Sequence, residues 1–249
     1  MFIDERVRAE LAASTRFKDV RLLDVVDSTN RVVSKLAEAG ESEGLVVAAD
    51  LQTAGRGRLD RTWDAAPGAG LLVSLLLRPA DLPVVRWHLL TAAAALAARS
   101  ACTEVGGVTP DIKWPNDLLL GRRKLAGILA EVSAGAIVIG MGLNVHSGPP
   151  GSGYLDGPAG CRVSRASLLV AWLGALEGLL GRWEVVAARY GTECSTVGQE
   201  VVVDRVGGPP LRGWAEAIDE QGRLVIRGGT GDLMVVSVGD VTHLRPAAP

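Results

Sequence analysis

Cysteine, histidine and any surplus of charge are all scarce in this chain, and each scarcity excludes a class of function. Three cysteines, Cys102, Cys161 and Cys194, stand far apart among 249 residues, with no CxxC and no Cys/His cluster. That excludes a zinc finger and a disulfide scaffold, and reads as reduced thiols in a cytosolic protein. His88, His146 and His243 are isolated, and none is paired with a candidate nucleophile. Lys plus Arg number 26 and Asp plus Glu 28, a net charge of −2. The basic excess of a protein whose main task is gripping duplex DNA is missing. Long hydrophobic runs are missing too. The longest, from Leu89 to Ala98, is alanine-rich, contains Thr91 and is too short to span a bilayer. The first residues, MFIDERVRAELAAS, are charged and carry no apolar signal core. The expectation is a soluble, cytoplasmic protein with neither nucleic acid nor membrane as partner.

What is present is the composition of a globular protein, 48% hydrophobic and 22% charged. The length suits one large domain with a small companion, and no internal repeat is visible. Residues 1–16 read as a short amphipathic helix. RLLDVVDSTN begins as a strand and ends in a cap signal, with Asp27 or Ser28 starting a helix that runs to about Ala39 and stops at Gly40. GLVVAAD and LLVSLLLR read as buried strands on either side of a loop, 52–70, with four glycines and no apolar period. WHLLTAAAALAARSACTEV is a helix by propensity. Residues 111–120 and 124–133 are two β-like runs flanking Gly121-Arg122-Arg123, a hairpin signal. AIVIGMGLNV is another strand, 148–160 a Gly/Pro loop, and 164–190 a helical stretch with a break near Gly181. From about Ser195 onward the pattern becomes short strands and turns, Asp219-Glu220-Gln221-Gly222 being the clearest. The plan is α+β, a mixed sheet flanked by helices over 1–194 and a small β-barrel over 195–249.

Four segments carry chemistry. Gly55-Arg56-Gly57-Arg58-Leu59-Asp60-Arg61-Thr62-Trp63 interleaves three arginines with glycines and ends on a tryptophan. Glycine lets backbone approach a ligand, arginine forks onto phosphate or carboxylate, and the indole offers a flat surface. The spacing is neither a Walker A loop nor a GxGxxG fingerprint, and a solvated loop with Arg–Asp pairs to Asp60 and Asp64 is the plainer alternative. In Lys113-Trp114-Pro115-Asn116-Asp117, Pro115 fixes a turn that presents a lysine, an amide and a carboxylate. Asp beside Asn suits Mg²⁺ or a ligand hydroxyl, or simply closes the turn. Lys124 begins an apolar strand, Lys124 to Glu131, either snorkelling at an edge or waiting for an anion, with Glu131 as a candidate counter-ion. Gly140-Met141-Gly142-Leu143-Asn144 ends a buried strand with two glycines and an amide that suits a base edge or a turn.

In this order, together with Ser28-Thr29-Asn30 and Gln52-Thr53-Ala54, these segments resemble the biotin protein ligase family. The resemblance covers most of the chain, since Val197 to Arg245 looks like that family's C-terminal SH3-like domain. It implies a class II synthetase-like mixed sheet and a two-step reaction: biotin and MgATP give biotinoyl-5′-AMP and pyrophosphate, and the acyl group then passes to a lysine of a biotin carboxyl carrier domain of an acyl-CoA carboxylase. It also implies a monomer or a homodimer. By resemblance, Ser28, Thr29, Asn30, Gln52, Gly55, Arg56 and Gly127 line the biotin side, with Lys124 close to the carboxylate. Arg58 and Arg61 face the phosphates. Trp63 belongs to a loop that closes over the adenylate. Lys113, Asn116 and Asn144 serve the nucleotide, and Asp117 the metal. Lys124, Arg56 and Asp117 are the catalytic candidates, Asp117 positioning the acceptor amine or taking its proton. The residues fit this chemistry: biotin's carboxylate is ionised at neutral pH, so the first step needs charge neutralisation rather than a base.

Two features depart from the family's pattern. Asp60 stands where the family commonly has glycine, placing an acid among the arginines and stiffening the loop. Only 27 residues precede Ser28, fewer than the helix-turn-helix domain of some members needs, so DNA recognition through that module is not expected. Alternatives are a lipoate or octanoate ligase of the same fold, a biotin sensor without catalysis, and a scaffold built on the barrel.

Overall fold

The computed structural model describes residues 5–156, 162–205, 208–237 and 239–243. Cys161, the end of the 148–160 loop and Arg245 lie outside the described residues. A short helix, α1 (Glu5–Ser14), leads into β1 (Asp19–Val26), α2 (Thr29–Glu38), β2 (Leu45–Gln52) and β3 (Gly70–Leu77). The long α3 (His88–Gly106) follows, then β4 (Asp111–Lys113), β5 (Asp117–Leu120), β6 (Arg123–Ser133) and β7 (Ala136–Asn144). These strands form one seven-stranded sheet in the order β1-β2-β3-β7-β6-β5-β4. Only β1 and β2 run parallel; every other pair is antiparallel. α4 (Arg165–Glu177) and α5 (Trp183–Glu193) are separated at Gly181, whose φ of 80° suits glycine.

The two faces of the sheet have different fates. All eight residues of β3 are buried, which requires cover on both sides. Leu71, Val73, Leu75 and Leu77 join the main core with α3 and α4. Their alternates face α2, where Leu76, Val47 and Val138 pack on Val33 and Ala37. α2 is short and covers only one end of that face. Toward the other end, the same rows present Ser74 opposite Gly140 and Leu72 opposite Gly142, with Gly142 opposite Gly127 of β6. A sheet face made of glycine and serine is a floor rather than a core.

The C-terminal strands β8 (Glu200–Asp204), β9 (Leu211–Ile218), β10 (Leu224–Arg227), β11 (Leu233–Val236) and β12 (Asp240–His243) form an antiparallel sheet in the order β11-β10-β9-β8-β12. The expected turn is there: Asp219 Oδ1 accepts from the Gln221 and Arg223 amides at 2.9 Å each, and Gly222 has φ 79°. This unit is packed onto the larger sheet. Buried Trp114 donates from Nε1 to Gly222 O at 3.0 Å, and its amide donates to Thr196 Oγ1 at 3.0 Å.

One element differs from its reading in sequence. Residues 111–120 are not one strand. They break into β4 and β5, which pair antiparallel around Trp114-Pro115-Asn116, with a cis bond before Pro115. Proline cannot donate in a ladder, so the strand ends there and turns back. The hairpin that follows joins β5 to β6 through Gly121, φ 59°.

Candidate functional site

The cleft forms where α2 stops covering the sheet. Its floor has no side chains because other groups occupy their places. A Cβ on Gly142 would stand 2.4 Å from the Trp63 ring, and one on Gly127 3.3 Å from it. The indole therefore lies flat on the glycine pair. A Cβ on Gly140 would stand 2.0 Å from Asn30 Oδ1, so glycine there admits the Asn30 amide.

Around that amide runs a polar chain. Thr29 donates from both its amide and Oγ1 to Gln52 Oε1, at 2.7 and 3.0 Å. Ser74 Oγ lies 2.7 Å from Thr29 Oγ1 and donates to Asn30 Oδ1 at 2.6 Å. Asn30 Nδ2 donates to Glu131 Oε2 at 2.7 Å, and Glu131 Oε1 pairs with Arg56 at 2.9 Å. Ser74, Thr29 and Asn30 are buried. In this low-dielectric setting the chain fixes Arg56 to the floor. Ser28 occupies the N-cap position with extended backbone, yet its side chain makes no capping bond. It lines the cleft instead.

The arginine loop arches over the floor as a tight turn. The Gly57 amide donates to Arg61 O at 2.7 Å, Arg61 N to Arg58 O at 3.2 Å and Trp63 N to Gly55 O at 3.0 Å. Leu59 and Asp60 both have positive φ, 54° and 55°. Asp tolerates that region better than most residues, which explains how Asp60 stands in for glycine. Among the described residues Asp60 and Asp64, the partners in the plainer alternative, do not pair with the loop arginines. Arg58 donates to Asn116 Oδ1 at 3.2 Å and to Gly239 O at 3.1 Å, and Arg61 pairs with Asp240. Burial depresses the Arg58 pKa, an effect Asp240 and Asp117 oppose; a desolvated guanidinium suits an incoming anion.

At the far end of the cleft, Lys124 Nζ sits 2.7 Å from Asp117 Oδ1 and 5.7 Å from the Trp63 ring centre. Glu131 is thus not the counter-ion of Lys124; β6 projects it toward Arg56, while the turn of β5 brings Asp117 to the lysine. Asn116 is clamped by Nδ2 on Ile128 O at 2.7 Å. Asn144 lies in an adjoining groove with Trp63, Lys124 and Ser152. There the buried Trp63 Nε1 and Asn144 Oδ1 have no hydrogen-bond partner. Gly55 packs beneath Trp63 O. Lys113 is not part of the cleft lining; it lies beside His243, whose pKa burial and then Lys113 lower. Sequence reasoning missed Ser74 and Asp240. The first is a lone polar residue in LLVSLLLR, a visible signal; the second carries none.

A cleft with cations converging over a floor of glycines suits an enzyme that brings an acid's carboxylate to the α-phosphate of a nucleoside triphosphate, and known proteins of that class match this chain. The profile of the biotin/lipoate A/B protein ligase family matches residues 22–146, and that of the biotin protein ligase C-terminal domain matches residues 196–244. The chain is 39% identical over 240 residues to the biotin–[acetyl-CoA-carboxylase] ligase of Mycobacterium tuberculosis, covering 90% of each. It is 31% identical over 231 residues to the bifunctional ligase/repressor BirA of Escherichia coli, covering 83% of this chain and 68% of that one. The structure of the biotin protein ligase from Aquifex aeolicus in complex with biotin and ATP superposes with a TM-score of 0.79 at 26% identity, over 92% of this chain and 100% of that one. The chain belongs to the biotin protein ligase family.

Proposed function

We propose that this protein activates biotin with ATP and transfers it to a lysine of a biotin carboxyl carrier domain. In the first step a biotin carboxylate oxygen bonds to the α-phosphorus of ATP and the bond to pyrophosphate breaks. In the second, the carrier's amine bonds to the acyl carbon, the acyl–phosphate bond breaks, and AMP leaves. The observation that carries this reading is the Lys124–Asp117 pair at 2.7 Å, facing a glycine floor beneath three loop arginines. Biotin's polar ureido edge meets the Ser28, Thr29 and Gln52 side, and its apolar ring lies beside the Trp63 indole that covers the glycine floor. Its carboxylate competes with Asp117 for the Lys124 ammonium. Arg58 and Arg61 take phosphate charge, which is the barrier when one anion attacks another. The unpartnered Trp63 Nε1 and Asn144 Oδ1 offer a donor and an acceptor to the purine end of the nucleotide.

Asp117 is the carboxylate that would hold Mg²⁺ together with substrate phosphates, since the neighbouring Asn116 amide is already bonded at both ends, to Arg58 and to Ile128 O. When bound, Mg²⁺ neutralises charge on those phosphates. In the second step Asp117 positions the acceptor amine or takes its proton as the amine attacks. Residues 1–194 form the catalytic domain and 195–249 the companion. The carrier belongs to an acyl-CoA carboxylase. No described helix is long and apolar enough to cross a membrane.

ATP–pyrophosphate exchange tests the reading, with biotin, lipoate and octanoate supplied separately. Exchange with biotin alone is the expected result. Exchange with lipoate or octanoate in its place moves the chain to the sister activity, and none with any acid in a folded sample favours a sensor.

A further inference from the structure

Ser74 has the only polar side chain of the buried strand β3, GLLVSLLL. A Cβ on Gly140, its neighbour across the sheet, would stand 3.2 Å from Ser74 Oγ and 2.0 Å from Asn30 Oδ1. From there four oxygens run in a row toward the cleft. Ser74 Oγ donates to Asn30 Oδ1 at 2.6 Å and lies 2.7 Å from Thr29 Oγ1, which lies 3.0 Å from Gln52 Oε1. Thr29 and Gln52 line the cleft and Ser74 does not. Both ends of the row are acceptors by necessity. Asn30 Nδ2 faces Glu131 Oε2 at 2.7 Å, and a carboxylate only accepts, so the other end of that amide is its oxygen. The Thr29 N–H donates to the Gln52 amide at 2.7 Å, so the atom it meets is Oε1. Three contacts among four oxygens need three protons, and the two hydroxyls supply two. Ser74 gives its proton to Asn30 in the shortest contact, so the single Thr29 proton serves both Ser74 Oγ and Gln52 Oε1. The shortage falls at the cleft end.

We propose that Ser74 is a positioning residue that makes the cleft select acids whose ring system carries an N–H group. The proposal rests on the reading of the Ser28, Thr29 and Gln52 side as the seat of the ureido edge. Ser74 does not touch the acid; it acts through Thr29. Because Ser74 Oγ draws on the Thr29 proton, Thr29 Oγ1 and Gln52 Oε1 face each other as an acceptor pair one proton short. A ureido N–H supplies that proton to both. A tail made of C–H groups, such as the octanoate chain, or the dithiolane of lipoate, supplies none. It leaves the two oxygens opposed and out of water, the situation in which a site rejects an analogue that lacks the expected donor. With alanine at 74 the Thr29 proton belongs to Gln52 alone. The pair is then satisfied within the protein, and selection for an N–H weakens.

The test measures, by titration calorimetry, the affinity for biotin and for an analogue with ring oxygens in place of its two N–H groups. Wild type is compared with Ser74→Ala and with Ser74→Cys, whose thiol nearly keeps the volume but is a weak donor and acceptor. Wild type is expected to bind biotin about a hundredfold or more tighter than the analogue. In both variants that ratio is expected to fall about tenfold, the effect of one hydrogen bond. A general loosening of the site would weaken both ligands alike, so an unchanged ratio in a folded variant overturns the proposal, as does a wild-type ratio near one. If alanine at this buried position abolishes the cooperative melt, the cysteine variant decides alone. Failure of the proposed reaction is separate. Wild type that shows the expected ratio but no biotin-dependent pyrophosphate exchange leaves the role of Ser74 standing, whereas wild type that binds neither ligand defeats the reading of the cleft and the proposal with it.

Discussion

Gly142 lacks a side chain because the Trp63 ring stands in its place, 2.4 Å from where a Cβ would be. An indole is rigid and cannot yield a few tenths of an ångström by rotating its far end. Gly142→Ala is therefore expected to expel Trp63 while leaving β7 intact, since alanine is tolerated in a strand. The check is a red-shifted tryptophan emission that is absent in Gly142→Ala combined with Trp63→Phe; wild-type emission in the single variant sinks the packing. Lys124→Ala tests the other end of the cleft. Removing a cation that neutralises developing charge is expected to slow biotin-dependent exchange by about a hundredfold or more, with little change in melting, because the side chain is 43% exposed. Wild-type exchange in that variant removes Lys124 from the assignment. The glycines, Lys124 and the arginines could be picked out in sequence because each is unusual among its neighbours. What they touch could not. Arg61 meets a carboxylate 179 positions away, and Lys124 meets Asp117 rather than Glu131 because a turn, not a strand period, sets their distance.

At the scale of the element, the turn that Pro115 signals was legible in sequence, but the reversal of the chain at it was not. Proline was visible in 111–120, but the apolar run on both sides of it concealed that the chain reverses there. The reversal is held from outside: the Trp114 amide donates to Thr196 Oγ1, which also lies 3.0 Å from His243 Nε2, and Tyr190 OH donates to Pro115 O at 2.8 Å. Burial and Lys113 lower the His243 pKa, so its ring is neutral at pH 7. Thr196→Val keeps the shape but strands the Trp114 amide. It is expected to cost about 1–3 kcal/mol, the penalty of a buried unsatisfied donor, seen as a lower denaturation midpoint at unchanged m-value. Because Asn116 and Asp117 ride on the same turn, KM for ATP should rise too. Loss of stability alone would mean that the turn and the cleft are not coupled. By contrast α2 and α3 were legible almost to their ends, because glycine stops and an alanine-rich run act locally.

For the whole molecule, two units that the sequence separates by composition share one core. The main apolar cluster contains Leu75 and Leu96 of the large sheet and its helices, and also Val201, Ala215, Leu224 and Ile226 of the small one. Trp114 stands between them, 2% exposed, with its indole bonded across to Gly222. Burying a side chain of that size stabilises by about 3 kcal/mol, and the small unit alone is near the lower size limit of a stable domain. The expected behaviour is a single unfolding transition, with calorimetric and van't Hoff enthalpies in agreement, rather than a small domain that melts early. Truncation after Cys194 is expected to give an insoluble or molten product, because it uncovers Trp114. Two resolved transitions, or a folded and soluble 1–194 fragment, would show that the boundary read from composition is also a boundary in energy. Alkaline pH adds a second test of the same core. Burial raises the Cys102 thiol from 9.0 to about 12, so the native state retains a proton that the unfolded chain releases. Stability from this group is complete below pH 9.0 and is lost as pH rises toward about 12. Cys102 lies in the shared core, so the whole transition should shift down together across that range, and Cys102→Ala should flatten part of the slope. A shift confined to one of two transitions would argue that the core is divided.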